Sequence, residues 1–123
     1  MEQTPYTYLF IRKDLSFPQQ LVQIAHAAHD AGYKFGDHSH MCVFEISGEQ
    51  KLLDAASYLN DKDIPYQMFH ETDIGEHTAI CTTPLTGEAR KALRKFKMYR
   101  DSPRIDGWTK LFFEVVYNDP LTK

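Results

Sequence analysis

Cysteine is scarce in this chain: two in 123 residues, Cys42 and Cys81, far apart and each inside an apolar stretch. Two thiols cannot supply a disulfide framework, and their surroundings fit buried free thiols in a reducing cytosol. Glycine and proline number six each, too few for a collagen-like or low-complexity chain. No apolar run approaches the roughly 18–20 residues that a membrane span needs, so no membrane contact is expected. The start, Met1-Glu2-Gln3-Thr4-Pro5, lacks a basic region followed by an apolar core. No secretory signal is therefore read, and a cytoplasmic location is the expectation. What remains is 42% hydrophobic and 25% charged. That composition excludes a disordered chain and a coiled coil, and it suits one globular domain that buries about two thirds of its unfolded surface.

The net charge of −3 is unevenly distributed. Residues 1–87 hold five Lys/Arg against twelve Asp/Glu, a net −7, and residues 88–123 hold nine against five, a net +4. An acidic chain argues against indiscriminate nucleic-acid binding. The basic last third leaves room for local contact with phosphate.

Periodicity predicts the order β-α-β-α-β-β-α. Residues 6–12, rich in aromatic and apolar side chains, read as a buried strand. A turn over 13–17 leads to a helix over 18–31 with Pro18 in its first turn, Leu21, Ile24, Ala25 and Ala28 inward, and Gly32 at its end. After a loop, residues 41–46 form a second strand. Ser47 is read as the cap of a helix over 49–61 with Leu52, Leu53, Ala56 and Leu59 inward. Residues 66–69 form a third strand, 70–76 a polar connection and 77–82 a fourth strand. Thr86 caps a last helix over 87–98. Strands alternating with helices predict a three-layer α/β/α domain on a mixed four-stranded sheet, spanning residues 1–100. Residues 101–123 are a C-terminal extension. Its run Lys110-Leu111-Phe112-Phe113-Glu114-Val115-Val116-Tyr117 suits an extra edge strand, added to its own sheet or to that of a second copy in a homodimer.

Ile11-Arg12-Lys13-Asp14-Leu15 followed by Gln23-Ile24-Ala25-His26-Ala27-Ala28 resembles the type 2 peptidyl-tRNA hydrolases. Those begin with a strand ending in an Arg-x-Asp-Leu turn and a helix carrying Gln-x-x-His-Ala. The Arg-Lys-Asp-Leu-Ser turn, a Glu after the third strand, a Thr opening the fourth and Lys95-Phe96-Lys97-Met98-Tyr99 are closer still to the peptidyl-tRNA hydrolase domain-containing branch. The resemblance covers residues 6–100. It implies cleavage of the ester between a peptide and the terminal ribose of tRNA, with no metal or other cofactor. Carried over singly, Gln23, His26 and Thr78 match the family pattern, and Glu71 stands where the main family has Asp. The family lysine of the first helical turn is absent: Pro18-Gln19-Gln20 occupies that turn. Lys13 is the cation near enough in sequence to replace it, and Asp14 lies beside it in the same turn.

On that reading Glu71 is the general base acting on water and Thr78 a donor to the oxyanion or to that water. Gln23 and His26 orient the reactants. Asp73 and Glu76 are rival carboxylates. Each of these residues also has a plain structural reading, as loop glutamate, strand threonine, helix glutamine and hydrogen-bonded helix histidine. Lys13, Asp14, Arg90, Arg94 and Lys97 are the candidate substrate-binding residues. Arg90, Arg94 and Lys97 fall on one helical side, where a tRNA backbone would meet them. His26, His29, His38 and His40 can be drawn as a zinc site, but no Cys or carboxylate is placed with them. No phosphate-binding Gly-rich loop, nucleophile elbow or Cys-His dyad is present. Two functions follow: an esterase on peptidyl-tRNA, or a non-catalytic relative that binds RNA or a protein.

Overall fold

The computed structural model describes residues 4–36 and 39–100. The extension 101–123, with its expected strand, lies outside the described residues.

Four strands form one sheet: β1 (Tyr6–Arg12), β2 (His40–Ile46), β3 (Tyr66–Glu71) and β4 (Glu76–Thr82). Their spatial order is β2-β1-β4-β3, with β1 parallel to β2 and β4 antiparallel to both β1 and β3. β1 is central and covered on both faces, which is why its middle, residues 8–11, reads as an unbroken apolar run rather than an alternating one. Tyr8 and Phe10 point to one face, Leu9 and Ile11 to the other. This topology puts the carboxyl ends of β1, β2 and β3 and the start of β4 along one edge of the sheet.

Helix α1 (Phe17–Phe35) covers one face, where Ala27 and Ala31 pack on Leu9, Ile11, Ala79 and Cys81. Helix α2 (Glu49–Asp61) covers the other, where Leu52, Ala56 and Leu59 pack on Phe10, Phe44 and Ile80. The expected three-layer α/β/α arrangement is what forms. Among the described residues, no helix is long and apolar enough to cross a membrane. Cys81 is fully buried, and that burial pushes its thiol up to about 12, while Cys42 is half-buried.

All three helices depart from the sequence expectation. α1 does not stop at Gly32. It runs on to Phe35 and ends at Gly36, whose φ of 76° is left-handed and whose N–H donates to the Gly32 carbonyl at 2.9 Å. A mid-helix glycine costs only about 1 kcal/mol, and the following turn lets Phe35 pack against the core under α1. α1 is also rotated. Gln20, Gln23, Ala27 and Ala31 face the sheet, Leu21 is 53% exposed, and Ala25 points outward. Gly48, not Ser47, is the N-cap of α2.

The third to depart is α3 (Gly87–Lys91), which is five residues long instead of running to residue 98. Beyond it the chain tightens into i→i+3 turns, with Leu93 N–H on the Arg90 carbonyl and Phe96 N–H on the Leu93 carbonyl. It then extends along β2. Glu45 N–H donates to the Lys97 carbonyl at 2.9 Å, and Tyr99 N–H donates to the Val43 carbonyl at 2.8 Å. An open strand edge offers backbone partners that a continued helix would forgo, and the turn drops Leu93 and Phe96 onto the α2-side core.

The rotation of α1 is checked by two substitutions. Leu21→Ser should change unfolding free energy by less than about 0.5 kcal/mol, whereas Leu59→Ala in α2 should cost about 2–5 kcal/mol. Urea unfolding measures both, and a costly Leu21→Ser would restore the Leu21-inward face.

Candidate active site at the carboxyl edge of the sheet

Three of the residues singled out in the sequence meet where α1 crosses the ends of β3 and β4. Gln23, 1% exposed, donates from Nε2 to Glu71 Oε2 at 2.9 Å. Thr78, fully buried, donates from Oγ1 to Gln23 Oε1 at 2.9 Å. An ionised carboxylate only accepts hydrogen bonds. The Gln23 NH2 group therefore faces Glu71 and its carbonyl oxygen faces Thr78. The relay runs Thr78 to Gln23 to Glu71, and each side chain fixes the next.

A bulge brings Thr78 into this relay. Phe69 pairs with Ala79 and His70 with His77, so Thr78 is the extra residue of β4. Strict alternation would send Thr78 to the same face as Ile80, which packs on the α2 side. The extra residue breaks that alternation and turns the hydroxyl toward α1, the re-aiming that bulges commonly provide. Glu71 is the last residue of β3 rather than part of a loop. Its backbone position is thus set by the sheet.

Glu71 is held below its ordinary value of 4.5, first by the Gln23 hydrogen bond, then by the Asp73 N–H, with His26 and His70 adding to the effect. Oε1 accepts the Asp73 N–H at 3.2 Å, and Oε2 accepts from Gln23. A carboxylate has about four lone-pair sites, so room remains for a water. His26 sits one turn along α1, exposed, with its ring edge-on to Phe69 at 5.1 Å. Of the rival carboxylates, Glu76 pairs with Arg12, while Asp73 donates its backbone N–H to Glu71.

Arg12, at the end of β1, is 6% exposed. Its Nε and Nη2 grip Asp14 bidentately at 2.9 and 2.6 Å, and Nη1 donates to Glu76 Oε1 at 2.6 Å and to the His77 carbonyl at 3.0 Å. The guanidinium holds Asp14 below the usual carboxylate range. Arg12 thus ties the turn after β1 to the start of β4 and sets the frame from which Thr78 projects. The sequence drew attention to the Arg-x-Asp-Leu turn but not to Glu76 as its partner. A buried arginine with a carboxylate two residues on was the available signal that a second acidic group would be needed.

The candidate substrate-binding residues do not gather at Glu71. Asp14 is spent on Arg12. Lys13 Nζ lies 3.4 Å from Glu45 Oε2, donates to the Arg100 carbonyl at 2.6 Å, and stands 4.1 Å above the Tyr99 ring. These contacts place it on the β2 side of the sheet, while Glu71 is on β3. The expected single cationic face of Arg90, Arg94 and Lys97 is corrected, because the helix that would align them ends at Lys91. Arg90 stacks on Tyr6 at 3.7 Å and donates to the Tyr8 hydroxyl at 2.8 Å. Lys97 pairs with Glu45 at 3.2 Å, and Arg94 is exposed. Among the described residues no group of three or more His, Cys, Asp or Glu is spaced to hold a metal ion. His38, one of the drawn histidines, lies outside them.

No family model and no curated protein matches the chain. Among solved structures, it is similar to a protein of unknown function from Agrobacterium tumefaciens strain C58, at 11% identity and a TM-score of 0.62, over 80% of this chain and 100% of that one. That likeness is one of fold.

The relay makes a prediction about acid stability. A carboxyl with a depressed folded pKa stabilises the protein above its unfolded value and loses that contribution as pH falls through the folded one. Wild-type Tm should therefore drop on acidification below about pH 4.5, and part of that drop should vanish in Gln23→Leu, which removes the stronger of the two donors to Glu71 and leaves the Asp73 N–H. Thermal melts from pH 7 to 3 measure this, and identical pH profiles would show the relay to be energetically idle.

Proposed function

We propose that this protein hydrolyses a carboxylic ester with water, at the Thr78–Gln23–Glu71 relay, and that peptidyl-tRNA is the substrate its sequence resemblance implies. One observation carries the reading: a buried amide is held by Thr78 on one side and orients an accessible carboxylate on the other. A plain surface glutamate has no need of a fully buried threonine and glutamine behind it. The carboxyl edge of an α/β sheet is also where ligands of such folds commonly sit.

In this reading a water on Glu71 attacks the ester carbonyl carbon, and its proton passes to the carboxylate. The tetrahedral intermediate expels the ribose hydroxyl, which takes up that proton. Glu71 is ionised at neutral pH, so it is always ready to accept. Its lowered pKa makes it a weaker base than one tuned near neutrality. Thr78 does not reach substrate, because its hydrogen is committed to Gln23. It is a positioning residue, and Gln23 keeps the carboxylate in one rotamer. His26, exposed one turn further along α1 with its ring against Phe69, is the group of that helix that would meet substrate.

Peptide release from N-acetylated lysyl-tRNA by the full chain tests the reading. Glu71→Gln should cut turnover by about 10²–10⁴-fold, the range for a general base. Thr78→Val should lower kcat with little change in KM, and Thr78→Ser should restore most of it. No release above the spontaneous rate would overturn the hydrolytic reading. A second reading, a non-catalytic RNA- or protein-binding relative, is favoured by one observation: Lys13 is occupied by Glu45, Tyr99 and Arg100, and among the described residues no Lys or Arg pairs with Glu71. Binding of uncharged tRNA without hydrolysis of the acylated form would select it.

A further inference from the structure

A cavity of about 560 Å³ opens between α2 and the segment 95–97, on the face of the sheet away from α1. Four lysines line it, Lys13, Lys51, Lys95 and Lys97, with Tyr58 and Phe96 as an aromatic wall. Two carboxylates, Glu45 and Asp54, complete the charged lining, which leaves a net +2. Among the described residues that excess is not cancelled locally. Glu45, whose side chain is only 12% exposed, is shared by Lys13 at 3.4 Å and Lys97 at 3.2 Å, one negative charge against two positive. Asp54 accepts from Gln50 at 3.0 Å and pairs with no lysine among the described residues. Lys95 rests over the Tyr58 ring at 3.7 Å, and Lys51 is exposed on α2 with no ion pair among the described residues.

The shape and chemistry select a ligand class. The volume falls in the range of small-ligand sites, about 300–1,000 Å³. Uncompensated lysines at a concave surface focus a positive potential that an anion relieves. Tyr58 and Phe96, with rings edge-on at 5.5 Å, offer apolar surface to a flat ring. Tyr58 is anchored by its hydroxyl on the Ala92 carbonyl at 2.7 Å, so the wall is fixed in place. A purely inorganic anion would use the lysines but not the wall, and an apolar ligand would use the wall but leave the lysines unrelieved.

We propose that this cavity binds a phosphate ester of nucleotide size, with the phosphate on Lys51, Lys95 and Lys97 and the base or ribose against Tyr58 and Phe96. The ligand is either a free nucleotide or the phosphorylated end of an RNA, and the two share this chemistry. The inference is independent of the hydrolytic reading. Glu71 lies on the α1 face at β3, whereas the cavity lies on the α2 face beside β2.

Titration of the full chain with AMP, with a 5′-phosphorylated RNA trinucleotide and with adenosine tests it, read by amide chemical shifts at low salt. AMP or the trinucleotide should bind and shift resonances of residues 51–58 and 95–97, and adenosine should bind at least about tenfold more weakly. Tighter AMP binding identifies a free nucleotide, and tighter trinucleotide binding identifies an RNA end. Lys51→Glu, at an exposed position that should not disturb folding, and Lys95→Gln should each weaken binding about tenfold. Each should also make the affinity less sensitive to added salt, because a phosphate-binding cation is removed. Glu71→Gln should bind as the wild type does. The proposal falls if neither phosphate ester binds at millimolar concentration, if adenosine binds equally well, if Lys51→Glu and Lys95→Gln bind as the wild type does, or if Glu71→Gln abolishes binding.

Discussion

A single buried amide sets the geometry of one face of this protein. Gln23 is all but inaccessible, and an amide taken out of water without partners costs several kcal/mol. Its hydrogen-bonding groups must therefore be met by the elements α1 covers, and they are met by Thr78 of β4 and Glu71 of β3. That requirement explains why α1 presents glutamines to the sheet while Leu21 and Val22 stay exposed. A helix turned to bury Leu21 would carry Gln23 away from both partners. The polar bonds fix the rotation, and small side chains, Ala27 and Ala31, let the helix approach closely enough to make them.

Arg12 imposes a second constraint that supports the first. It is a buried cation on the central strand, and such a charge is tolerated only when paired and hydrogen-bonded. Asp14 and Glu76 meet it from two sides and the His77 carbonyl from a third. The start of β4 is thereby fastened to the end of β1 one residue before the bulge. Without that fastening the extra residue could migrate along the strand, and a bulge shifted by one position would turn Thr78 to the other face. The relay and the arginine clamp thus meet at adjacent residues, His77 and Thr78.

Much of the architecture is legible in the sequence because it rests on local signals. The aromatic and apolar run over residues 8–11, the i, i+4, i+7 spacing of Leu52, Ala56 and Leu59, and Pro65 before β3 each identify an element without reference to another. The helix over 49–61 forms with the bounds its periodicity predicts. What is not legible depends on distant partners. Leu21 reads as a core residue because apolar residues at helical spacing normally are, and only Glu71 and Thr78, 48 and 55 residues away, show why Gln23 displaces it. The helix expected over 87–98 has good local propensity, yet the open edge of β2 competes for the backbone of residues 97–99. The grouping of Gln23, Glu71 and Thr78 comes through resemblance. The bulge that makes it work leaves no mark in composition or period.

The same interactions that build the site also limit its chemistry. A carboxylate fixed by a buried amide and a backbone N–H is well placed, but each hydrogen bond that fixes it also stabilises its charge and lowers its basicity. Such a group gains orientation, worth a large part of many enzymes' rate enhancement, and gives up proton affinity. A nearby cation would lower its affinity further, so the engagement of Lys13 at β2, rather than at Glu71, preserves what basicity remains. A site arranged this way suits a step in which water must be aimed more than it must be deprotonated, as attack on an activated ester requires. The basic cavity by Lys51 and Lys95 lies on the other face, and no lysine is among the groups that lower Glu71. Two of the four cavity lysines, Lys13 and Lys51, come from the acidic part of the chain, so the fold and not sequence position gathers the positive charge. The Glu71 carboxylate lies on the α1 side, held by Gln23, and Lys95 and Lys97 lie beside α2.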